Sequence, residues 1–345
     1  MHPAPDMEFF DLHTIWFILV GLLFTGYAML DGFDLGVGAI HLLVKKDEHR
    51  RLLLNTIGPV WDGNEVWLVV GGGALLGAFP EVYATVFSGF YIPFIFLLFT
   101  LIFRAVAIEF RSKETWAWWR QTWDIAFSLG SILSAFILGV AMGNVVQGIP
   151  LDEHFELSDR SFNLLNPYAL IMGVTTVLMF AMHGAIYVLM KTEGELQAII
   201  RGYIPWLIGL FTASYIIFNF YTLFHVPYIW PTLMHRPHIF VVAILGMLVL
   251  LNVPRELHQG REFFAFLSSC AGMALMMATF GLTYYPNMVL STPDVTHSLT
   301  IYNSAATQKT LGILLLIACI GVPLVLSYTI SIYYIFRGKT RKLHY

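Results

Sequence analysis

Acidic side chains inside apolar segments are the residues of this sequence best suited to do chemistry. The segment DGFDLGVG carries Asp31 and Asp34 three residues apart, and WDGNEVW carries Asp62 and Glu65 with the same spacing. Residues three apart lie on one face of a helix, so each pair presents two carboxyl groups together. A charge within hydrocarbon is costly and must face protein or water. Such pairs are therefore typical of proton or ion paths.

Three more ionisable residues accompany these pairs: Arg104 and Glu109 near the end of the third apolar run, and Asp124 near the start of the fourth. A rise of about 1.5 Å per residue places Asp34 and Asp62 about 15 Å from the ends of their runs, and Arg104 about 10 Å from its own. We expect one polar region opening toward one side. Two interpretations stay open, a proton path and an ion-paired cluster in which Arg104 compensates the acids.

The elements that must position these residues are membrane-spanning helices. Hydrophobic residues make up 57% of the 345 residues and charged residues 12%, against roughly 25% charged in ordinary globular proteins. Because a bilayer core requires about 20 apolar residues per helix, the sequence predicts an all-α, polytopic membrane protein that forms a single transmembrane domain over residues 1–345. We place nine helices at residues 15–44, 52–79, 82–110, 122–146, 164–190, 203–224, 239–253, 263–285 and 311–336.

The 19 Lys and Arg residues are distributed unevenly between the connections. Most follow the odd-numbered predicted helices, and only Arg160, Arg236 and Lys309 fall on the other side. Since positive charge is held in the cytoplasm, we expect the N-terminus outside and the C-terminus in the cytoplasm. The net charge is -3, and the sequence has no basic cluster that would indicate a nucleic-acid partner.

Histidine and cysteine offer little for a cofactor. Only His183 lies well inside a predicted helix and His41 lies near the end of another, and a haem held by two axial histidines needs a pair at matched depth. Cys270 and Cys319 lie in apolar runs without CxxC spacing, so we expect packing residues and no metal site. The sequence predicts that this chain alone binds no cofactor.

Together, these segments resemble subunit II of the cytochrome bd ubiquinol oxidases over essentially the whole chain. The combination of DGFD with WDGN is more specific than any glycine motif. The matching segments are DGFDLGVG, GPVWDGNEVWLVVGGGALLGAFP, SGFYIP, FRAVAIEFRSK, WRQTWD, GVAMGNVVQGIP, LLNPYALIMGV and YYPNMVLST.

The resemblance implies a complex in a bacterial cytoplasmic membrane. In that family a partner, subunit I, carries haem b and haem d and oxidises quinol, and the complex reduces dioxygen to water with protons from the cytoplasm. Asp62 matches a carboxylate of a proton path, while Asp34, Arg104 and Asp124 match positions implicated in assembly. Glu65 stands where some members have Gln and is a second candidate for the path. Some members hold a structural quinone, and a small accessory subunit is a further candidate partner.

Two other functions fit the residues. A proton- or cation-coupled transporter also needs intramembrane carboxylates and glycine-rich helices, and it would move a solute without any partner. A purely structural subunit would use the same charges to hold helices together.

Overall fold

Twelve α-helices and one two-stranded sheet make up the part of the chain that the computed structural model describes, which is residues 11–158, 163–292 and 294–340. The helices are α1 Leu12–His41, α2 Asp47–Ile57, α3 Trp61–Ala78, α4 Pro80–Gly89, α5 Tyr91–Phe110, α6 Ala117–Gln147, α7 Pro167–Lys191, α8 Gly194–His225, α9 Ile229–His235, α10 His238–His258, α11 Glu262–Tyr284 and α12 Gln308–Ile335. Strands β1 Asn287–Val289 and β2 Leu299–Thr300 pair antiparallel, with a 3₁₀ turn at Val295–His297 between them.

The predicted all-α, multi-pass character is confirmed. Eight of the described helices are long and apolar enough to cross a membrane: α1, α5, α6, α7, α8, α10, α11 and α12. Helix α3 has 18 residues, but its first turns carry Asp62, Asn64 and Glu65 and lower its apolar content. The count of nine spans and the orientation of the termini remain predictions.

The predicted second and third helices are each broken in two. Residues 52–79 were expected as one helix, but α2 ends at Ile57 and α3 begins at Trp61. Pro59 has no N–H to donate, and the Val60 N–H bonds to the Ile57 carbonyl at 2.8 Å, which closes a tight turn. Residues 82–110 are likewise divided at Phe90, three residues before Pro93.

Other predicted boundaries differ where helices extend past the apolar run. Helix α8 begins at Gly194 rather than residue 203 and passes through Pro205 without ending. Helix α10 has 21 residues, so the seventh predicted helix is not short. The short helix α9 was not predicted, because seven residues carry too little periodic signal.

Helices α1 and α7 form the centre of the bundle. A Cβ at Gly36 of α1 would collide with the Phe180 carbonyl of α7, and one at Gly184 of α7 would meet the backbone of Gly36. Gly38 approaches Ser131 of α6 in the same way. Small residues let helix backbones approach closely where lipid provides no hydrophobic driving force. The glycines of the DGFDLGVG segment therefore bring α1 against the backbone of α7 at Gly36 and against the Ser131 side chain of α6 at Gly38.

Polar contacts join the helix ends at the two ends of the bundle. At one end, Lys46 before α2 pairs with Glu195 of α8 at 2.5 Å, and the Lys191 ammonium of α7 donates to the Gly338 carbonyl beyond α12 at 3.2 Å. At the other end, the Trp16 indole N–H of α1 donates to the Leu311 carbonyl of α12 at 3.0 Å. The basic connections predicted to share a side thus meet at one end; Arg160, Arg341 and Lys342 lie outside the described residues.

Candidate functional site

A buried ion pair between α1 and α5 is the centre of the site. Asp31 and Arg104 are both 0% exposed. The guanidinium Nη2 lies 2.6 Å from Asp31 Oδ1, and Nη1 lies 3.4 Å from Asp31 Oδ2. This two-point contact is the geometry in which a guanidinium binds a carboxylate most strongly. Asp31 is therefore the principal counter-charge of Arg104.

Helix α3 provides the second carboxylate that contacts Arg104. Glu65 Oε2 lies 3.3 Å from Arg104 Nη1, and the Glu65 side chain is 22% exposed. Asp62 lies one turn earlier and is exposed on the outside of the bundle. Because α2 and α3 are separate helices, Asp62 belongs to the first turn of α3 and not to the middle of a long helix. A series of charged side chains thus extends from the outer face of α3 to the buried pair, in the order Asp62, Glu65 and Arg104.

Asp34 has different partners from Asp31. Its Oδ2 accepts a hydrogen bond from the Asn64 amide at 2.7 Å, and the Asn64 carbonyl oxygen accepts one from the Tyr333 hydroxyl of α12 at 2.9 Å. Asp34 is 0% exposed and Asn64 is 2% exposed. This hydrogen-bonded series joins α1, α3 and α12. The sequence did not single out Asn64, although it lies within WDGNE, and nothing local marked Tyr333.

Asp124 belongs to a second cluster at the end of the bundle. Arg111 Nε lies 2.5 Å and its Nη2 3.1 Å from the two carboxylate oxygens, while His41 Nε2 lies 2.6 Å and Arg50 Nη1 3.0 Å away. Asp124 is 2% exposed. From the sequence, Arg104 was the only partner expected for Asp124. The basic residues in the connections flanking α2 and α5 were the available signal.

Arg111 links this second cluster to the surface. Its Nη2 also lies 2.7 Å from Asp47 of α2, which is exposed. Burial alone lowers the pKa of the Arg111 guanidinium, but its hydrogen bonds to Asp124 and Asp47 raise that pKa above the ordinary value. Glu109 is exposed and has no ion pair among the described residues. The charged residues that the sequence placed in one polar region therefore form two clusters, with Glu109 outside both.

His183 is buried among aromatic rings and has both ring nitrogens engaged. Nδ1 lies 2.7 Å from the Ser269 hydroxyl, and Nε2 lies 3.0 Å from the Met29 carbonyl oxygen. Its ring stacks on Phe266 with centroids 4.8 Å apart. Since a carbonyl only accepts, Nε2 carries the proton. Binding a haem iron would break one of these hydrogen bonds, so the residue does not fit an axial ligand.

Metal ligands are not grouped in the described part of the chain: no cluster of three or more His, Cys, Asp or Glu residues there could hold an ion. Cys270 and Cys319 are free thiols. The chemistry available at the site is accordingly that of carboxyl groups, guanidinium groups and hydrogen-bonded amide and hydroxyl groups, which suits the handling of protons.

The model of the family described as cytochrome bd terminal oxidase subunit II matches residues 12–336 of this chain. The chain belongs to that family. It is 33% identical over 362 residues to cytochrome bd-I ubiquinol oxidase subunit 2 of Escherichia coli strain K12, covering 96% of each chain. It is also 33% identical over 331 residues to cytochrome bd ubiquinol oxidase subunit 2 of Bacillus subtilis strain 168, covering 95% of this chain and 97% of that one.

A solved structure has the same fold. The chain superposes on one from the bd oxidase of Geobacillus thermodenitrificans with a TM-score of 0.78 at 18% sequence identity, covering 94% of this chain and 98% of the other. The family assignment confirms the resemblance found in the sequence. The roles of Asp62, Glu65 and the two charged clusters stay predictions, because sequence and fold similarity do not test individual side chains.

Proposed function

We propose that this chain is subunit II of a cytochrome bd-type quinol oxidase. It pairs with a haem-bearing subunit I in a complex that oxidises quinol and reduces dioxygen to water with four electrons and four protons. Family membership and two relatives that are ubiquinol oxidase subunits support this assignment. No observation on the described residues favours a solute transporter instead.

The redox cofactors of the complex belong to the partner in this proposal. Haem b and haem d are carried by subunit I, and this chain alone binds neither. The engagement of both His183 nitrogens supports that division. A structural quinone and a small accessory subunit are further components for which the described residues provide no specific contact.

The outer face of α3 is the surface that we assign to subunit I. It presents Val66, Val69 and Val70 to the exterior, with exposed fractions of 48%, 71% and 44%. The exposed carboxylate of Asp62 precedes them on the same helix. An intramembrane carboxylate must face protein or water rather than lipid. A partner subunit that covers α3 would satisfy this requirement and enclose Asp62 at the interface.

Proton uptake is the contribution that this chain makes to the reaction in our proposal. Asp62 exchanges protons with the cytoplasmic side, and Glu65 is the next acceptor along the same face of α3. The 3.3 Å contact between Glu65 and Arg104 supports this role, because the cation fixes the position of the Glu65 carboxyl. The observation that carries the proposal is therefore the placement of two carboxyl groups between an exposed helix face and a buried guanidinium.

The membrane arrangement in this proposal follows the charges. The protein resides in the bacterial cytoplasmic membrane with nine spans, where α3 is the ninth in addition to the eight long apolar helices. Eighteen residues at about 1.5 Å each give α3 a length of about 27 Å, close to the roughly 30 Å hydrocarbon core. The N-terminus is outside, and the end that carries Lys46, Arg111 and Lys191 is cytoplasmic.

Replacing Asp62 by Asn tests the proton path. Asn keeps the size and hydrogen-bonding ability of Asp but cannot carry a proton, so D62N should slow quinol-driven oxygen consumption per haem d while the complex and its haem spectrum stay intact. Glu81→Gln is the matched control, because Glu81 is an exposed carboxylate in the first turn of α4. An unchanged rate in D62N over roughly pH 6 to 9 would leave Asp62 a structural residue.

Purification of the tagged chain tests the assignment itself. Under mild detergent, a haem-bearing partner should co-purify with the tagged chain. The reduced-minus-oxidised absorption spectrum of the purified complex should then show haem b and haem d. Recovery without a haem protein, together with solute uptake by vesicles containing this chain alone, would instead support a transporter.

A further inference from the structure

Asp34 is a buried carboxyl group that has no cation of its own. Its side chain is 0% exposed, yet among the described residues no Lys, Arg or His nitrogen lies within ion-pair distance of it. Oδ2 accepts the hydrogen bond from Asn64, whereas Oδ1 has no hydrogen-bond partner in the described part of the chain. A carboxylate in this position would have one neutral donor and no counter-charge.

In the described part of the chain, the one buried cation near Asp34 is Arg104, and it already contacts other carboxyl groups. Arg104 makes two contacts with Asp31, at 2.6 and 3.4 Å, and one with Glu65 at 3.3 Å. Three carboxyl groups thus face one guanidinium. Full ionisation would bury excess negative charge, which proteins avoid by pairing or by proton binding. Of the three, Asp34 is the one without a guanidinium contact.

Apart from Arg104, no neighbour of Asp34 among the described residues supplies positive charge. The ionisable groups that face it are Asp31 of α1, Glu65 of α3, Arg104 of α5, Tyr187 of α7 and Tyr333 of α12. A partner subunit cannot add one by direct contact, because Asp34 is already fully enclosed by this chain and association only buries surface. The charge balance at Asp34 is therefore set within subunit II.

We propose that Asp34 binds a proton in the folded chain, and that Asn64 and Tyr333 hold the protonated carboxyl group in place. The Tyr333 hydroxyl donates to Asn64 Oδ1, the Asn64 amide donates to Asp34 Oδ2, and the proton resides on the free Oδ1. This forms a proton-holding site between α1, α3 and α12, distinct from the exposed Asp62. Its existence does not depend on whether Asp62 and Glu65 conduct protons to the oxidase reaction.

Infrared spectroscopy of the purified complex tests the site without relying on activity. A protonated carboxyl group gives a C=O stretching band separate from the carboxylate bands, and the band shifts when H₂O is replaced by D₂O. We expect Asp34→Asn to remove one carboxyl equivalent from this band. Glu65→Gln is the matched control and should leave that equivalent in place. If Glu65→Gln removes the equivalent while Asp34→Asn keeps it, the proton resides on Glu65 and the proposal is wrong.

Tyr333→Phe provides a second variant in case Asp34→Asn does not assemble. It removes only the hydroxyl that donates to Asn64, on a side chain that is partly exposed at the edge of the bundle. The Asp34 band should persist at full intensity and shift in frequency, because the hydrogen bond to Oδ2 is altered. A band identical to that of the parent complex would show that Asn64 and Tyr333 do not hold the protonated group.

Discussion

Two carboxyl groups one turn apart on α1 have different electrostatic environments. Asp31 has the whole two-point contact of Arg104, whereas Asp34 has the amide of Asn64. Spacing alone makes the two residues equivalent, since both point from the same helix face. The difference arises from what approaches that face, which is α5 at Asp31 and α3 with α12 at Asp34. We therefore expect substitutions of Asp31 and of Asp34 to have different effects.

Arg104→Leu should impair assembly more than turnover per assembled complex. Removal of one partner from a buried ion pair leaves the other uncompensated, at a cost of about 3 to 5 kcal/mol. The quantity to measure is the amount of haem-loaded complex recovered from membranes. Lys46→Met is the control, because Lys46 and Glu195 are 59% and 58% exposed and an exposed pair contributes only about 0 to 1 kcal/mol. Equal recovery and haem content in both variants would contradict a structural role for the Arg104 pair.

The pairing of individual residues was only partly predictable. Arg104 was expected to face acids, because it is the one cation deep in the apolar runs, and its contacts are with Asp31 and Glu65. Asp124 was assigned to the same group, but its partners are Arg111 directly after α5, Arg50 in α2 and His41 at the end of α1. Periodicity does not encode how these helix ends come together. Long-range hydrogen bonds such as Tyr333 to Asn64 left no local signal at all.

Among the elements, α1 owes its position to glycine. Gly36 and Gly184 allow α1 and α7 to cross with their backbones in contact, and this crossing sets where Asp31 and Asp34 face the other helices. The glycine-rich segment is visible in the sequence, but the helix that packs against it is not. The sequence located the apolar runs well, because hydropathy reports burial in lipid directly. It missed the breaks at Val60 and Phe90, because the nearby Pro59 and Pro93 can kink a helix without dividing it, and local hydrogen bonding decides between one helix and two.

Gly36→Ala should destabilise the bundle. The added methyl group meets the Phe180 carbonyl, which belongs to a helix backbone and cannot rotate away, and forced overpacking costs about 1 to 3 kcal/mol. We expect a lower thermal midpoint for the detergent-purified complex and less of it in membranes. Gly21→Ala on the same helix is the control, because nothing lies within 4 Å of a Cβ there. A midpoint for Gly36→Ala that is no lower than that for Gly21→Ala would contradict the crossing.

At the scale of the whole molecule, we expect this subunit to organise charge rather than to hold redox centres, because both ring nitrogens of the buried His183 are already hydrogen-bonded. The isolated chain should therefore bind no stoichiometric haem. Absorption spectra of the chain expressed without subunit I provide the measurement. Stoichiometric haem that disappears in His183→Ala would overturn the expectation, because His183 is the one histidine deep in a predicted span.

The distribution of charge also predicts how the whole bundle is oriented in the membrane. Glu114 lies before α6 and Glu153 after it, and both are exposed. Helix α6 has 31 residues, which at about 1.5 Å each span about 46 Å, more than the roughly 30 Å hydrocarbon core. We therefore expect these two positions on opposite sides of the membrane, with the basic end near Glu114 in the cytoplasm.

Cysteine labelling of spheroplasts decides the orientation. In a background with Cys270 and Cys319 replaced by Ser, Glu153→Cys should react with a membrane-impermeant maleimide, and Glu114→Cys should react only after permeabilisation. We expect this labelling pattern because Lys and Arg residues meet at the Glu114 end of the bundle, and positively charged connections are held on the cytoplasmic side. The reverse pattern would invert the topology and place Asp62 near the outer side, which would remove the route for protons from the cytoplasm. Labelling of both positions in intact spheroplasts would mean that α6 does not span the membrane.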